Sequence, residues 1–480
     1  MAMDQKPCVR CRPGAIDNMA KIKLLTHEQR HQAGRALRDK CSRESHGEVV
    51  LGQGDKRDVV GLIKASNEGR LENLVPIRHG RMLQSPFAYF RGTAGIQAYD
   101  LVGTPSSGII VQCCGDCHLA NFGGFATPER TLVFDINDFD ETLPAPFEWD
   151  LKRLAASFVV AARWRGFKSR QARDIAVQAV ASYRESMRKR EGNAVLEGWY
   201  DSISLDDVRE LAGKNAEALG RVEKRAAEAA KQTSEHVFHK LTSPVRALPK
   251  IVDQPPLLYH PSKAIVNERG IAAFLKRYRA TLAEERQILF DRFKLIDVAL
   301  KVVGVGSVGT RCFVVLLLAS PHDPLFLQVK EARRSVLERH TGRSQVAHDG
   351  RRIVIGQRLM QSASDIFLGW SRGATGRDFY VRQLRDMKIA PEVETQNPKM
   401  MGLYATLCGL ALARAHDKAG DAAMIAGYLG GSDRFDEAIG DYAVAYADQV
   451  ERDYASFAKG VRSGRLKSDI SPSRLETMLR

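Results

Sequence analysis

Strand-forming sequence falls into two blocks of this chain that lie far apart, and the fold must either join them or carry separate sheets. The first block holds "GIIVQCC" (108–114) and "TLVFDI" (131–136), short β-branched runs of the kind that become buried strands. The second begins after residue 292, where "DVALKVVGVGSVGTRCFVVLLL", "PLFLQVKEA", "RRIVIGQRLM" and "DFYVRQL" predict four or five antiparallel strands. Elsewhere the apolar spacing is helical: "EWDLKRLAASFVVAARWRG" from 148, its continuation over 171–190, and helices at 268–292, 398–417 and 433–460. Thr26 opens a polar helix over 26–43, and Ser204 caps an Ala/Glu/Lys-rich segment over 205–241 that reads as a solvated arm or a hairpin. The stretch "NLVPIRHGRMLQSPFAYFRGTAG" is dense in aromatic and basic residues and reads as broken by Pro76 and Pro86. The expected class is α+β.

Composition shifts across the proline-bearing link "ALPKIVDQPPLLYHP", so a boundary is expected near 245–262. The units that follow are a tail over 1–24, an N-terminal part over 25–262, a strand-rich unit over 263–390, closing helices over 391–465 and a tail over 466–480. With 480 residues, 44% of them apolar, the chain is long enough for two or three packed units. Its formal charge of +15 draws anions: nucleotides, nucleic acid or anionic lipid. Because Arg and Lys are dispersed without a basic run, nucleic acid is the lesser of these expectations. The first twenty residues lack the apolar core of a signal peptide, and runs such as "CFVVLLLA" are too short to span a bilayer. A soluble cytoplasmic protein with no membrane span is expected. The pairs Cys8/Cys11 and Cys114/Cys117 could offer four thiolates to zinc, but their separation is unlike that of a zinc ribbon.

Gly304, Gly306 and Gly309 form GxGxxG, with Ser307 inside it. A dinucleotide fold needs a helix after such glycines, whereas a strand, "CFVVLLL", follows here. The loop is therefore expected to be a hairpin turn whose bare backbone can approach phosphate oxygens. Lys330, one strand later in "LFLQVKEA", fits the ammonium that pairs with nucleotide phosphates. Glu338 on the following helical stretch is its expected acidic partner, since Glu331 points to the opposite face if the strand continues.

A second constellation lies in the first block. Asp116, His118 and Asn121 give DxHxxN, and "FDINDFDE" then supplies Asp135, Asp138 and Asp140. Phosphoryl transfer needs a carboxylate to orient or deprotonate the acceptor, and a carboxylate with a carboxamide to hold Mg²⁺. Singly, each residue reads as a turn cap; together they match that requirement. The same stretch of "RMLQSPFAYFR", with Phe87, Tyr89 and Phe90 between Arg81 and Arg91, reads either as an acceptor pocket or as an aromatic strand with surface arginines.

These strings, with "RHGRMLQSPFAYFRGTA", "GDCHLANFG", "FDINDFDETLPAPFEWDLKRLAAS", "GQRLMQSASDIFLGW" and "LARAHDKAGD", resemble the bacterial family DUF2252 over roughly residues 25–460. The motifs are in turn similar to those of aminoglycoside phosphotransferases and other protein-kinase-like enzymes. That resemblance implies ATP and Mg²⁺ as cofactors and a two-lobed fold, with an antiparallel nucleotide lobe and a mainly helical catalytic lobe. It makes Asp116 the catalytic aspartate, Asn121 a metal ligand and Asp135 the second, with Asp138 nearby. His118 falls where kinases often keep a lysine, either donating to the γ-phosphate when protonated or bracing the loop. The motif order departs from the kinase pattern, because the catalytic loop and metal strand precede the glycine turn and lysine. A circular permutation is therefore expected, cut between the helix "LYATLCGLALARAHDKAGD" and the catalytic loop. His416 and Asp421 in that helix read as structural. The function expected is phosphoryl transfer to a small molecule or protein. Nucleotidyl transfer on the same fold and a non-turning-over nucleotide-binding regulator are the alternatives.

Overall fold

The computed structural model describes residues 24–469 except 52–56, 232–237, 239–240, 244–247, 263–267 and 385–386. It is a mixed α+β structure with antiparallel sheets. Strand β1 (Ile110–Cys113) pairs with β4 (Leu143–Pro146), while β2 (Phe122–Ala126) and β3 (Leu132–Ile136) form a hairpin extended by β5 (Ile203–Ser204). A short pair follows, β6 (Thr242–Ser243) with β7 (Lys250–Ile251). The main sheet comprises β8 (Leu258–Tyr259), β9 (Lys294–Lys301), β10 (Cys312–Ser320), β11 (Asp323–Ala332), β12 (Gly369–Arg372) and β13 (Asp378–Gln383). Its order is β12-β13-β11-β10-β9-β8, antiparallel throughout.

The unbroken apolar run of β10 has a simple cause: both faces of the sheet are covered. Val315 and Leu317 join Leu325, Leu327 and Val329 against Tyr278 and Phe290 from the helices Glu268–Arg279 and Glu284–Phe290. Val314, Leu316 and Leu318 turn the other way, beside Phe326, Leu258 and Ile251. The same alternation sets Lys330 on the face of Phe326 and Gln328, away from Val329 and Glu331.

Helices form the rest of the core. The Phe147–Trp164 helix is buried almost all round, and the Ser169–Arg190, Pro398–Ala419 and Arg434–Arg462 helices pack about it and one another. A Cβ on Gly409 would lie 2.3 Å from the Ala179 carbonyl oxygen, so this glycine sets how closely two of those helices approach. The early helices and the C-terminal ones thus share one apolar core.

Three local readings of the sequence are corrected. "RRIVIGQRLM" is a helix, Asp349–Met360, capped by His348 and packed between the main sheet and the Pro398–Ala419 helix. Its buried residues Ile353, Gln357 and Met360 keep helical spacing, and this tertiary burial outweighs the β-branched run "IVI". Pro76 and Pro86 start helices instead of breaking a segment: Val75–Met82, Pro86–Arg91 and Ala94–Leu101 follow one another. The segment after Ser204 breaks at Gly213, where φ is +56°, into Leu205–Ala212 and Ala216–Ala230. Most of the expected N-terminal tail, with Cys8 and Cys11, lies outside the described residues, as does the chain beyond 469.

Candidate active site

The turn that carries DxHxxN is fixed from below by the Phe147–Trp164 helix. Asp150, in its first turn, accepts from the backbone N–H of Cys114 at 2.8 Å and of Gly115 at 3.0 Å. Ser157 Oγ accepts from Leu119 N–H at 2.9 Å, and Tyr404 donates to the Leu119 carbonyl at 2.7 Å. Gly115 is required here, since its φ is +84° and a Cβ would sit 2.3 Å from the Glu141 carbonyl oxygen. Behind the turn, His416 is fully buried between Asp150 and the Tyr183 hydroxyl. Cys113, Cys114 and Cys117 share this buried layer, with thiol pKa values raised by burial, that of Cys117 to about 12.

Asp116 stands at the open side of the turn with its side chain 20% exposed. Arg153 grips its Oδ1 through Nε at 2.9 Å and Nη2 at 2.8 Å, and is itself held by Gln97, the Phe90 carbonyl and the Phe90 ring. Among the described residues no guanidinium pairs with Oδ2. Asn121 Nδ2 donates to the Asp116 carbonyl at 2.8 Å, which aims its Oδ1 elsewhere. His118 is 4% exposed, and burial brings its pKa down to about 4. Burial disfavours its protonated form, and its Nε2 lies 3.9 Å from Asp116 Oδ2.

The second constellation meets the first directly. Lys330 Nζ is 2.5 Å from Asp140 Oδ2 and 3.5 Å from Asp138 Oδ2. Asp140 also accepts from the Tyr380 hydroxyl at 2.9 Å and from Ser307 Oγ of the glycine turn at 3.4 Å. Burial raises the Asp138 pKa, but Lys330 and then Arg382 outweigh it and hold the carboxyl well below its ordinary range. Asp140 moves upward, through burial first and the neighbouring Asp138 second.

Two expected residues are placed elsewhere. Asp135, read as the second metal ligand, accepts from Arg414 at 2.7 and 2.8 Å and from Ser362 N–H and Oγ at 2.8 and 2.9 Å. Both members of the Asp135–Arg414 pair are fully buried, so Asp138 and Asp140 are the carboxylates that reach the lysine. Glu338 starts a one-turn helix, Glu338–Thr341, and makes no ion pair with Lys330. The longer helix that follows presents amides instead: Gln357 donates to Gln361, and Gln361 donates to the Ile136 carbonyl. Glu331 does point away, to Arg311 at 3.2 Å and Arg377 at 2.9 Å.

Gly304, Gly306, Ser307 and Gly309 form the turn between β9 and β10, with Gly309 at φ +86°. The turn is tethered from the N-terminal helices. Arg70 donates to the Val308 carbonyl at 2.5 Å, Leu71 N–H donates to the Gly309 carbonyl at 2.7 Å, and Arg81 donates to the Val303 carbonyl. Beside it opens a cleft of about 940 Å³, bordered by Lys301, Gly304, Gln328, Asn137, Gln361 and Arg382. A cofactor-sized molecule fits such a volume.

Asp150 and Arg153 escaped the sequence reading, although a signal was present. In "FEWDLKRLAAS" charged residues occupy positions that helical spacing turns inward, and buried charges of that kind need partners.

Comparison with known proteins gives one family. The model described as "Uncharacterized protein conserved in bacteria (DUF2252)" matches residues 70–460. No curated protein and no solved structure matches. The match takes in both constellations and the helices that hold them, and the chain belongs to the DUF2252 family.

Proposed function

We propose that this chain is an ATP-dependent phosphotransferase of protein-kinase-like, circularly permuted architecture that uses Mg²⁺. The observation that carries the reading is the Lys330 contact with Asp140 and Asp138, at 2.5 and 3.5 Å, between segments about 190 residues apart. Further support comes from the main sheet. A glycine turn joins β9 to β10, the lysine lies on β11, a helix precedes β12, and β13 leads on to the Pro398–Ala419 helix.

The donor set suits a hard cation: Asp138 and Asp140 supply carboxylate oxygens and Asn121 its Oδ1. Asp138, Asp140 and Asn121 would hold Mg²⁺, whose positive charge would offset the charge that builds on the phosphates. Lys330 would then exchange its carboxylate partners for phosphate oxygens, and the glycine turn would offer backbone N–H groups. Asp116 Oδ2 accepts the proton of the acceptor hydroxyl as its oxygen bonds to the γ-phosphorus. The bond to the bridging oxygen breaks, and its electron pair leaves with ADP. Arg153 holds Asp116 in place.

Thermal shift with MgATP tests this. Binding at a hundredfold excess over Kd adds about 2.7 kcal/mol of stability. Asp138→Asn should lose the Mg²⁺-dependent part, and Lys330→Ala most of the shift. ATP labelled at the γ or the α position, incubated in parallel with cell extract, reports which group moves: γ label on an acceptor supports phosphoryl transfer, and α label alone replaces it with nucleotidyl transfer. Absence of any shift in the unmutated chain would sink the reading.

A further inference from the structure

The basic side chains around the two constellations are almost all matched. Arg153 is spent on Asp116, Lys330 on Asp138 and Asp140, Arg414 on Asp135, and Arg70 and Arg81 on backbone carbonyls of the glycine turn. Arg91 is the exception. Among the described residues its guanidinium makes no hydrogen bond or ion pair, and its only close partner is the Phe87 ring, 5.9 Å away. Its Nε is buried without a hydrogen-bond partner.

Two contacts place the backbone of Arg91. It ends the Pro86–Arg91 helix, and its carbonyl oxygen lies 3.5 Å from where a Cβ on Gly306 would stand, directly beneath the glycine turn. The Phe90 carbonyl, one peptide bond before Arg91, accepts from the same Arg153 guanidinium that holds Asp116, so the end of this helix lies beside both the glycine turn and Asp116. Arg91 as a whole is half-buried, and its Nε–H is the donor shut away from water without a partner, which is costly.

Resting on the phosphotransferase reading, we propose that Arg91 is an oxyanion-binding catalytic residue, gripping the phosphoryl group as it passes from ATP to the acceptor between Gly306 and Asp116. During transfer the bond changes are those already given. The Arg91 N–H groups donate to the non-bridging oxygens, where charge is spread in the transition state, and keep their protons throughout. No further reactant is needed.

The test compares the full chain with Arg91→Ala and Arg91→Lys, using a fluorescent ADP with Mg²⁺, with and without aluminium fluoride as a mimic of the phosphoryl group in flight. In the unmutated protein aluminium fluoride should tighten ADP binding. Arg91→Ala should keep its affinity for ADP alone and lose about a hundredfold of the tightening. Arg91→Lys should keep part of it, and added guanidinium should restore part of the loss in Arg91→Ala. Full tightening in Arg91→Ala overturns the assignment, whether Arg91 then serves an anionic acceptor or the fold. Equal loss of ADP and mimic binding in Arg91→Ala overturns it too, since the residue would be serving the nucleotide in general. If the unmutated chain binds no ADP or ATP, the phosphotransferase reading itself is lost, an outcome distinct from the other two.

Discussion

Asp135 and Asp138 stand three residues apart and are held by opposite means. Asp135 lies at the end of β3 in a dry ion pair with Arg414, while Asp138, past the strand, meets Lys330 with a third of its side chain exposed. Removing one charge from a buried pair strands the other, at a cost of about 3–5 kcal/mol. Asp135→Asn should therefore lower the urea midpoint sharply, and Asp138→Asn, which leaves Asp140 paired with Lys330, should lower it less while abolishing the Mg²⁺-dependent response to ATP. Reversal of those two outcomes would return the metal role to Asp135. The sequence shows both aspartates, and the offsets of DxHxxN are short enough to place Asp116, His118 and Asn121 on one turn. It does not show where β3 stops, and that one boundary decides which carboxyl is buried. Nor does it show that His118 is buried, because the turn that carries it is pinned at Leu119 by Ser157 and Tyr404, residues remote in the chain.

At the scale of elements, period-two alternation in β10 and β11 was legible and sets Lys330 and Glu331 on opposite faces. The Asp349–Met360 helix was not legible, since "IVI" between arginines looks like a strand until its partners are known. The tethering of the glycine turn was also hidden. Arg70 reaches it across 238 residues, with its pKa lowered by burial to about 10. A turn held in this way would be prepared for the proposed nucleotide rather than folded by it. Arg70→Ala should raise amide hydrogen exchange across 304–309 and weaken MgATP binding by about tenfold, or 1.4 kcal/mol. Exchange that stays unchanged would mean the tether carries no load.

For the molecule as a whole, buried histidines shape the response to acid. Burial lowers the pKa of His46 to about 3, and of His79 and His118 to about 4, against 6.5 for an exposed imidazole. The unfolded chain takes up protons that these sites refuse, so their contribution is complete above pH 6.5 and is lost as pH falls toward 4. Glu141, raised to about 7, and Asp436, raised to about 6, act in the opposite sense, losing stability as pH rises through 4.5 to 7. His46 meets Cys41, the Tyr428 hydroxyl at 2.6 Å and the Phe435 ring, none of them a candidate-site residue, and so isolates the effect. His46→Gln should flatten stability against pH by about 1.4 kcal/mol per unit below 6.5, measured by urea unfolding at several pH values. A parallel profile would show that His46 is protonated in the native state. The ion pair between Asp135 and Arg414 spans 279 residues, and the hydrogen bond between Asp150 and His416 spans 266. On a ribosome adding about 5 to 20 residues per second, the aspartates emerge roughly a quarter of a minute to a minute ahead of these partners. During that interval the floor of the candidate site exists as polypeptide without its partners, and it can settle into place only once the last helices arrive.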